Sequence, residues 1–320
     1  MKISKVVVIG SGTMGSGIAA QVANAGLQVH LLDLTIEIAT KACERIKKSR
    51  PPLLMEDNNL NHIIPGSIEN DMEILKDADW VVEAVVERID IKKTLYSQID
   101  TLRKPGALVS SNTSSIPLKV LTEDMSKEMK EVFCITHFFN PVRYMRLLEL
   151  VIGPQNDKEK INDLVNFGDK ILGKTVVVCN DSPGFLGNRV GVYAMQVAMT
   201  EAFNLGLTVE EADAVFGRPL GIPKTGIFGL YDLIGIDLMA DVLKSFIKEL
   251  PTSDPFHKVG KELPIINQLI EDGYTGRKGK GGFFRINKSS DVKILESLNY
   301  KNNTYHESKK VDLGLPDLMD

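Results

Sequence analysis

Between an apolar run, Val6-Val7-Val8-Ile9, and a helical pattern, Ile18-Ala19-Ala20-Gln21-Val22-Ala23, stands Gly10-Ser11-Gly12-Thr13-Met14-Gly15. A Gly-x-Gly-x-x-Gly is common by chance, but one that closes a strand and opens a helix has the context that dinucleotide binding requires. The first glycine allows a tight turn, the second lets backbone approach a pyrophosphate, and Gly15 lets the helix pack closely on the strand. Amides at the helix start, around Thr13 and Met14, then face the phosphates, helped by the positive end of the helix dipole. Leu31-Leu32-Asp33 ends the next β-rich run, where a carboxylate accepts hydrogen bonds from the adenosine ribose and repels a 2'-phosphate. Leu34-Thr35-Ile36 offers no arginine to offset that repulsion, so NAD is expected over NADP. FAD shares the fingerprint, and a plain strand-to-helix turn beside a solvated aspartate is the bland alternative.

The first half alternates short β-rich runs with helical stretches, the pattern of a parallel sheet wound with helices. Strands are expected at Lys5 to Gly10, Gln28 to Asp33, Trp80 to Val85, Ala107 to Asn112, Phe133 to Asn140, Arg146 to Ile152 and Thr175 to Asn180. Beyond Asp181-Ser182-Pro183-Gly184 the β-branched runs give way to long helical patterns, with Ser182 a candidate cap and Pro183 a candidate first helical residue. The expected fold is an α/β Rossmann-type domain over 1–181, an all-α domain over 182–285, and a polar tail or linker over 286–320.

A length of 320 residues agrees with two domains. No run approaches the ~20 apolar residues of a membrane span, and the apolar stretch after Lys5 is too short for a signal peptide, so a cytoplasmic protein without membrane insertion is expected. The net charge of -4, with signs interspersed, offers no basic field for nucleic acid. Cys43, Cys134 and Cys179 are widely spaced, which suits reduced packing residues and gives no metal motif.

Ser111-Asn112-Thr113-Ser114-Ser115 follows a strand, at the sheet edge where ligands bind in open α/β folds. Thr136-His137-Phe138 puts a histidine at the end of an apolar strand, and Leu148-Glu149-Leu150 puts a carboxylate within another. If Pro141 to Tyr144 reverses the chain, the two strands run past each other and His137 reaches Glu149. A carboxylate beside an imidazole fixes its tautomer and favours the cation, which makes a general base suited to a hydroxyl proton. The other reading is a satisfied core histidine with Glu149 as its partner.

Together these residues resemble the 3-hydroxyacyl-CoA dehydrogenase family, over Lys5 to about Phe284. The blocks are Gly10 to Gly17, Val81-Val82-Glu83-Ala84-Val85-Val86-Glu87, Ser111 to Ser115, His137 to Val142, Asp181 to Arg189 and Gly276 to Phe284. The resemblance implies reversible NAD-dependent oxidation of an (S)-3-hydroxyacyl-CoA and a helical second domain that dimerises. It also implies that the acyl thioester enters a cleft between the domains. By motif, His137 is similar to the family's base and Glu149 to its partner, while Ser114 and Asn188 match polar groups around the substrate oxygen and nicotinamide. Glu87 and Lys92 match positions contacting the nicotinamide half of the cofactor, Lys278 matches a lysine near it, and Glu83 is assigned to structure.

Between Ile46 and Asp71, where relatives contact coenzyme A, the chain has Lys47-Lys48-Ser49-Arg50-Pro51-Pro52 and then a poorly patterned loop. The cations either meet CoA phosphates or form a solvated helix end. Val142-Arg143-Tyr144-Met145-Arg146, Pro223-Lys224-Thr225-Gly226 and the polar tail look more like the dehydrogenase segment of long multifunctional fatty-acid oxidation proteins, which implies a hydratase domain or partner. Two alternatives stay open: an NAD-dependent dehydrogenase of a free β-hydroxy acid, and an NAD-binding module without turnover.

Overall fold

Val6, Val8, Leu31, Trp80 and Val82 fall in one apolar core, while their strand neighbours Val7, Ile9, Leu32 and Val81 fall in another. Strands that are apolar on both faces must be covered on both. In the computed structural model, which describes residues 2–220, 225–287 and 293–314, helices do so. The chain divides into two compact units, Met1–Leu186 and Gly187–Asp320.

The first unit is a twisted sheet of β1 (Val6–Ile9), β2 (Val29–Asp33), β3 (Ile63–Ser67), β4 (Trp80–Glu83), β5 (Leu108–Ser111), β6 (Phe133–Phe138), β7 (Leu147–Val151) and β8 (Thr175–Cys179). Their order is β3-β2-β1-β4-β5-β6-β7-β8, and all neighbours run parallel except β6 and β7. The order reverses between β1 and β4, which opens the ligand crevice at the carboxyl ends of those strands. Helices α1 (Thr13–Asn24) and α2 (Ile36–Lys48) pack on one core, with Ile18, Val22, Ala42 and Ile46 buried. Helices α3 (Ile89–Leu102), α4 (Leu118–Leu121) and α5 (Lys127–Val132) cover the other through Leu95, Ile99, Leu121 and Met129; α6 (Lys158–Asn166) adds Ile161 and Leu164 to the first. Each large apolar side chain so buried contributes about 1.5 to 3 kcal/mol.

The poorly patterned loop hides a strand. β3 contains Pro65 and Gly66, which spoil the β signature, yet at the sheet edge a proline costs no ladder bond on its open side. The bulky basic link also finds its use: Arg143 Nη1 donates to the carbonyls of Pro52 (3.0 Å) and Leu54 (2.6 Å), and Tyr144 Oη to Pro52 (3.0 Å). Lys47, Lys48 and Arg50 are exposed.

The second unit carries α7 (Gly187–Asn204), α8 (Val209–Val215), α9 (Phe228–Ile234), α10 (Ile236–Glu249), α11 (Phe256–Val259) and α12 (Pro264–Glu271). Two aspartates, Asp232 buried and Asp213 half-buried, hold its glycine-rich turns. Asp213 accepts the amides of Phe228 and Gly229 at the start of α9, and Asp232 accepts those of Phe283 and Phe284. Among the described residues no helix is long and apolar enough to cross a membrane.

Two expectations need correction. The helix carrying Asn188 begins at Gly187 and not at Pro183, because Gly184 and Phe185 hold φ of +73° and +47°, outside helical space. The two units part after Leu186, a few residues beyond the expected boundary near Asp181. The expected polar tail forms, with β9 (Phe284–Asn287), an antiparallel sheet of β9, β10 (Ile294–Asn299) and β11 (Thr304–Glu307). Leu298 and Ser297 are buried there, so very few apolar residues were enough to seat the sheet. Pro223-Lys224, Lys288-Ser289-Ser290 and Leu315-Pro316 lie outside the described residues.

Candidate active site

At the carboxyl end of β1, Gly10 turns the chain with φ of +99°, a conformation that favours glycine. A Cβ on Gly15 would stand 1.7 Å from the Gly10 carbonyl oxygen, whereas one on Gly12 would meet nothing within 4 Å. Gly15 therefore serves packing, and Gly12 keeps space open. Gly12 is the N-cap of α1 and offers no side-chain cap, which leaves the first-turn amides, those of Thr13 and Met14 included, without intrahelical partners. Asp33 Oδ2 accepts the Ser11 amide and hydroxyl, both at 2.6 Å, and Oδ1 accepts the Leu34 amide at 2.7 Å. A carboxylate has about four acceptor positions, so room remains on Oδ1 for a ribose hydroxyl. Gly10, Gly12, Thr13, Met14 and Asp33 line a cavity of about 760 Å³, large enough for the adenosine half of a dinucleotide.

A second cavity, of about 340 Å³, shares Met14, Ala84 and Val85 with the first. His137, Ser114, Glu87 and Lys92 are on its wall. The antiparallel pairing of β6 and β7 sets His137 opposite Glu149, and Nδ1 lies 2.6 Å from Glu149 Oε2. The pair is buried, with 5% of His137 and none of Glu149 exposed. An ionised Glu149 is acceptor-only, so Nδ1 carries the proton and Nε2 is left with its lone pair. Glu149 Oε1 accepts the Leu186 amide at 2.8 Å, and Phe139 and Phe185 pack edge-on to the imidazole at 4.5 and 5.6 Å between centroids.

Ser114 is exposed on the loop after β5, and that loop is gathered by Glu87. Glu87 Oε1 accepts the hydroxyls of Thr113 and of Ser115 (3.0 Å) and the amides of Ser114 (3.2 Å) and Ser115 (3.3 Å). Burial pushes the Glu87 carboxyl up, but the Thr113 hydrogen bond and the Lys92 ammonium outweigh it and hold the group below the ordinary glutamate range. Lys92 Nζ is 2.7 Å from Glu83 Oε1 and 3.2 Å from Glu87 Oε2. Its charge is thus committed within the protein, and it faces the cavity already paired with two carboxylates.

Asn188 and Lys278 belong to the second unit. Asn188 is half-buried in the first turn of α7, and Lys278 Nζ pairs with Asp237 at 2.7 Å.

Residues 5–182 match the family model described as 3-hydroxyacyl-CoA dehydrogenase, NAD binding domain, and residues 184–286 match 3-hydroxyacyl-CoA dehydrogenase, C-terminal domain. The chain belongs to the 3-hydroxyacyl-CoA dehydrogenase family. A putative fatty acid oxidation complex trifunctional enzyme of Rickettsia felis is 43% identical over 99% of the chain, which spans 45% of that relative's length. A probable 3-hydroxyacyl-CoA dehydrogenase of Deinococcus radiodurans is 36% identical, covering 92% of this chain and 86% of its own. The crystal structure of (S)-3-hydroxybutyryl-CoA dehydrogenase PaaH1 from Ralstonia eutropha superposes with a TM-score of 0.74 at 30% identity, over 88% of this chain and 98% of that one. The cofactor of this dehydrogenase family's first domain is NAD, and the glycine turn, the uncapped amides and Asp33 fit it.

Several residues of this candidate site escape a sequence reading. Arg45, from α2, donates to the Ser11 carbonyl at 2.9 Å, so an arginine does reach the glycine turn, by a helical route that the residues after Asp33 do not reveal. Asn112 Oδ1 accepts the Phe138 amide at 3.0 Å and ties the Ser114 loop to the strand end beside His137; its place in the Ser111 to Ser115 block was the available signal. Cys179 Sγ lies 3.9 Å from Glu149 Oε1, and burial followed by that carboxylate raises its thiol and disfavours the thiolate. Phe185 is signalled only by its place in the Asp181 to Arg189 block.

Proposed function

We propose that the chain catalyses reversible NAD-dependent oxidation of an (S)-3-hydroxyacyl-CoA to the 3-oxoacyl-CoA, with His137 as general acid and base and Glu149 as its partner. The observation that carries the reading is the 2.6 Å contact between these two buried groups at a cavity that adjoins the glycine turn. NAD, when bound, supplies the hydride acceptor. His137 takes the 3-hydroxyl proton at Nε2, the nitrogen that Glu149 leaves free. Glu149 balances the imidazolium that results, and the Leu186 amide holds Glu149 in place. Ser114, steadied by Glu87, donates to the substrate oxygen as charge builds on it; one such donor is worth roughly 3 to 4 kcal/mol of barrier. In the reverse direction His137 returns the proton. Asn188 and Lys278 keep the roles that the family resemblance implies, on that ground alone.

A homodimer through the helical domain, a cytoplasmic setting and a hydratase domain or partner belong to the same proposal. The relatives named as trifunctional enzymes of a fatty acid oxidation complex support the last. The test is NADH-dependent reduction of acetoacetyl-CoA beside longer 3-oxoacyl-CoA esters and free 3-oxo acids. His137→Gln is expected to abolish turnover while NADH still binds. Retained turnover removes His137 from its role, and preference for free acids over thioesters removes the acyl-CoA assignment.

A further inference from the structure

Glu83, at the end of β4, is a fully buried carboxylate that the proposed chemistry does not use. Four donors converge on it. Oε1 accepts Lys92 Nζ and the Val85 amide, each at 2.7 Å, and Oε2 accepts the hydroxyls of Tyr96 and Ser111, each at 2.6 Å. Burying a charged pair costs several kcal/mol that mutual attraction only partly returns, and an apolar substitute often serves stability better. What the charge does provide is direction. Lys92, itself 1% exposed, is held between Glu83 on one side and Glu87 on the other, and Glu87 turns its remaining oxygen to the Thr113–Ser115 loop.

We propose that Glu83 is a positioning residue for that loop: by anchoring Lys92 it fixes Glu87, and through Glu87 it sets where the Ser114 hydroxyl meets the substrate oxygen. The inference rests on Ser114 acting as the donor to that oxygen. Without the Glu83 charge, Lys92 has Glu87 as its one counterion in this cluster and draws it away from the loop. A displacement of about 1 Å at a reacting group costs on the order of 100-fold in rate.

Glu83→Gln isolates the effect. The glutamine carbonyl keeps Val85 and Lys92, and its NH2 faces Tyr96 and Ser111, whose hydroxyls rotate to accept. Shape is retained and charge is lost. With acetoacetyl-CoA and NADH, kcat is expected to fall about 10- to 100-fold, with a smaller change in KM for NADH. The primary isotope effect from NADH deuterated at the transferred position should rise, because hydride transfer becomes more rate-limiting. Amide hydrogen exchange across Thr113–Ile116 should quicken, a readout independent of turnover.

A Glu83 that merely supports the fold predicts a lower melting temperature with kcat per folded site, isotope effect and loop exchange all as in the parent, and that result overturns the proposal. If Glu83→Gln does not fold, Lys92→Met breaks the next link and must give the same faster exchange at Thr113–Ile116; parental exchange there is equally fatal. A parent protein that fails to reduce acetoacetyl-CoA sinks the functional reading instead, while the exchange arm still decides whether Glu83 governs the loop.

Discussion

Replacing Glu149 by glutamine keeps the shape of the side chain but removes one of its two acceptors. Oε2 faces His137 Nδ1 at 2.6 Å and Oε1 accepts the Leu186 amide at 2.8 Å, whereas an amide group has an acceptor at one end only. If the carbonyl stays with His137, the NH2 opposes the Leu186 N–H, and a buried donor goes unpaired at about 1 to 3 kcal/mol of stability. The imidazolium also trades an anionic acceptor for a neutral one, which raises the barrier by about 1.5 to 3 kcal/mol, or roughly 10- to 150-fold. If the amide turns round, Leu186 stays paired, but the NH2 now donates to Nδ1 and the ring must carry its proton on Nε2. That tautomer cannot act as a base at the cavity. The second arrangement avoids the unpaired donor, so it should dominate, and the general base's whole contribution, about 100- to 10,000-fold, is lost. The expected outcome for Glu149→Gln is therefore a kcat reduced by that factor, with NADH affinity and melting temperature close to the parent. Steady-state reduction of acetoacetyl-CoA at neutral pH, with an NADH titration and a thermal melt alongside, measures all three. A variant that keeps more than about a tenth of the parental kcat would refute the argument, since neither arrangement allows it.

The two glycines of the first turn should separate packing from binding. Gly15→Ala pushes a methyl to 1.7 Å from the Gly10 carbonyl and should cost about 3 kcal/mol or more in a thermal melt. Gly12→Ala meets no protein atom within 4 Å and should change stability by less than about 0.5 kcal/mol, while NADH binding, followed by fluorescence, weakens at least about tenfold because the methyl fills the pyrophosphate's approach. Equal losses of stability in both variants would contradict this division. In the helical unit, burial pushes the Asp213 carboxyl up to about 7 and the Asp232 carboxyl up to about 6. Between the ordinary value of 3.8 and those values the folded chain binds more protons than the unfolded one, so these groups make stability fall as pH rises through that window. Melting curves of Asp213→Asn and Asp232→Asn should show a flatter dependence than the parent from about pH 4 to pH 7; an unchanged slope would mean that the amides bonded to these carboxylates keep them ionised.

Much of the fold was legible because its signals are local. The strand runs of the first unit alternate side chains into two cores, and each expected strand appears with ends shifted by a residue or two. β3 was not legible, since Pro65 and Gly66 are tolerated only by virtue of an edge position that the sequence does not display. The start of α7 was misread because Ser182-Pro183 is a sound helix signal locally, and only the turn that brings the Leu186 amide to Glu149 overrides it. The hairpin of β10 and β11 went unseen because a polar segment with few apolar residues looks like a tail until Leu298 finds a core to enter.

The chain alone determined the dinucleotide turn, because a strand, three glycines and a helix start leave the backbone few other uses, and it determined that His137 and Glu149 meet if the strands between them reverse. Only the tertiary structure decided what the charged groups do. Whether a lysine such as Lys92 meets a ligand or is already neutralised by Glu83 and Glu87, and whether an arginine as remote as Arg45 reaches Ser11, depends on distances across elements. A sequence orders residues along one dimension, while electrostatics acts through the space that folding closes.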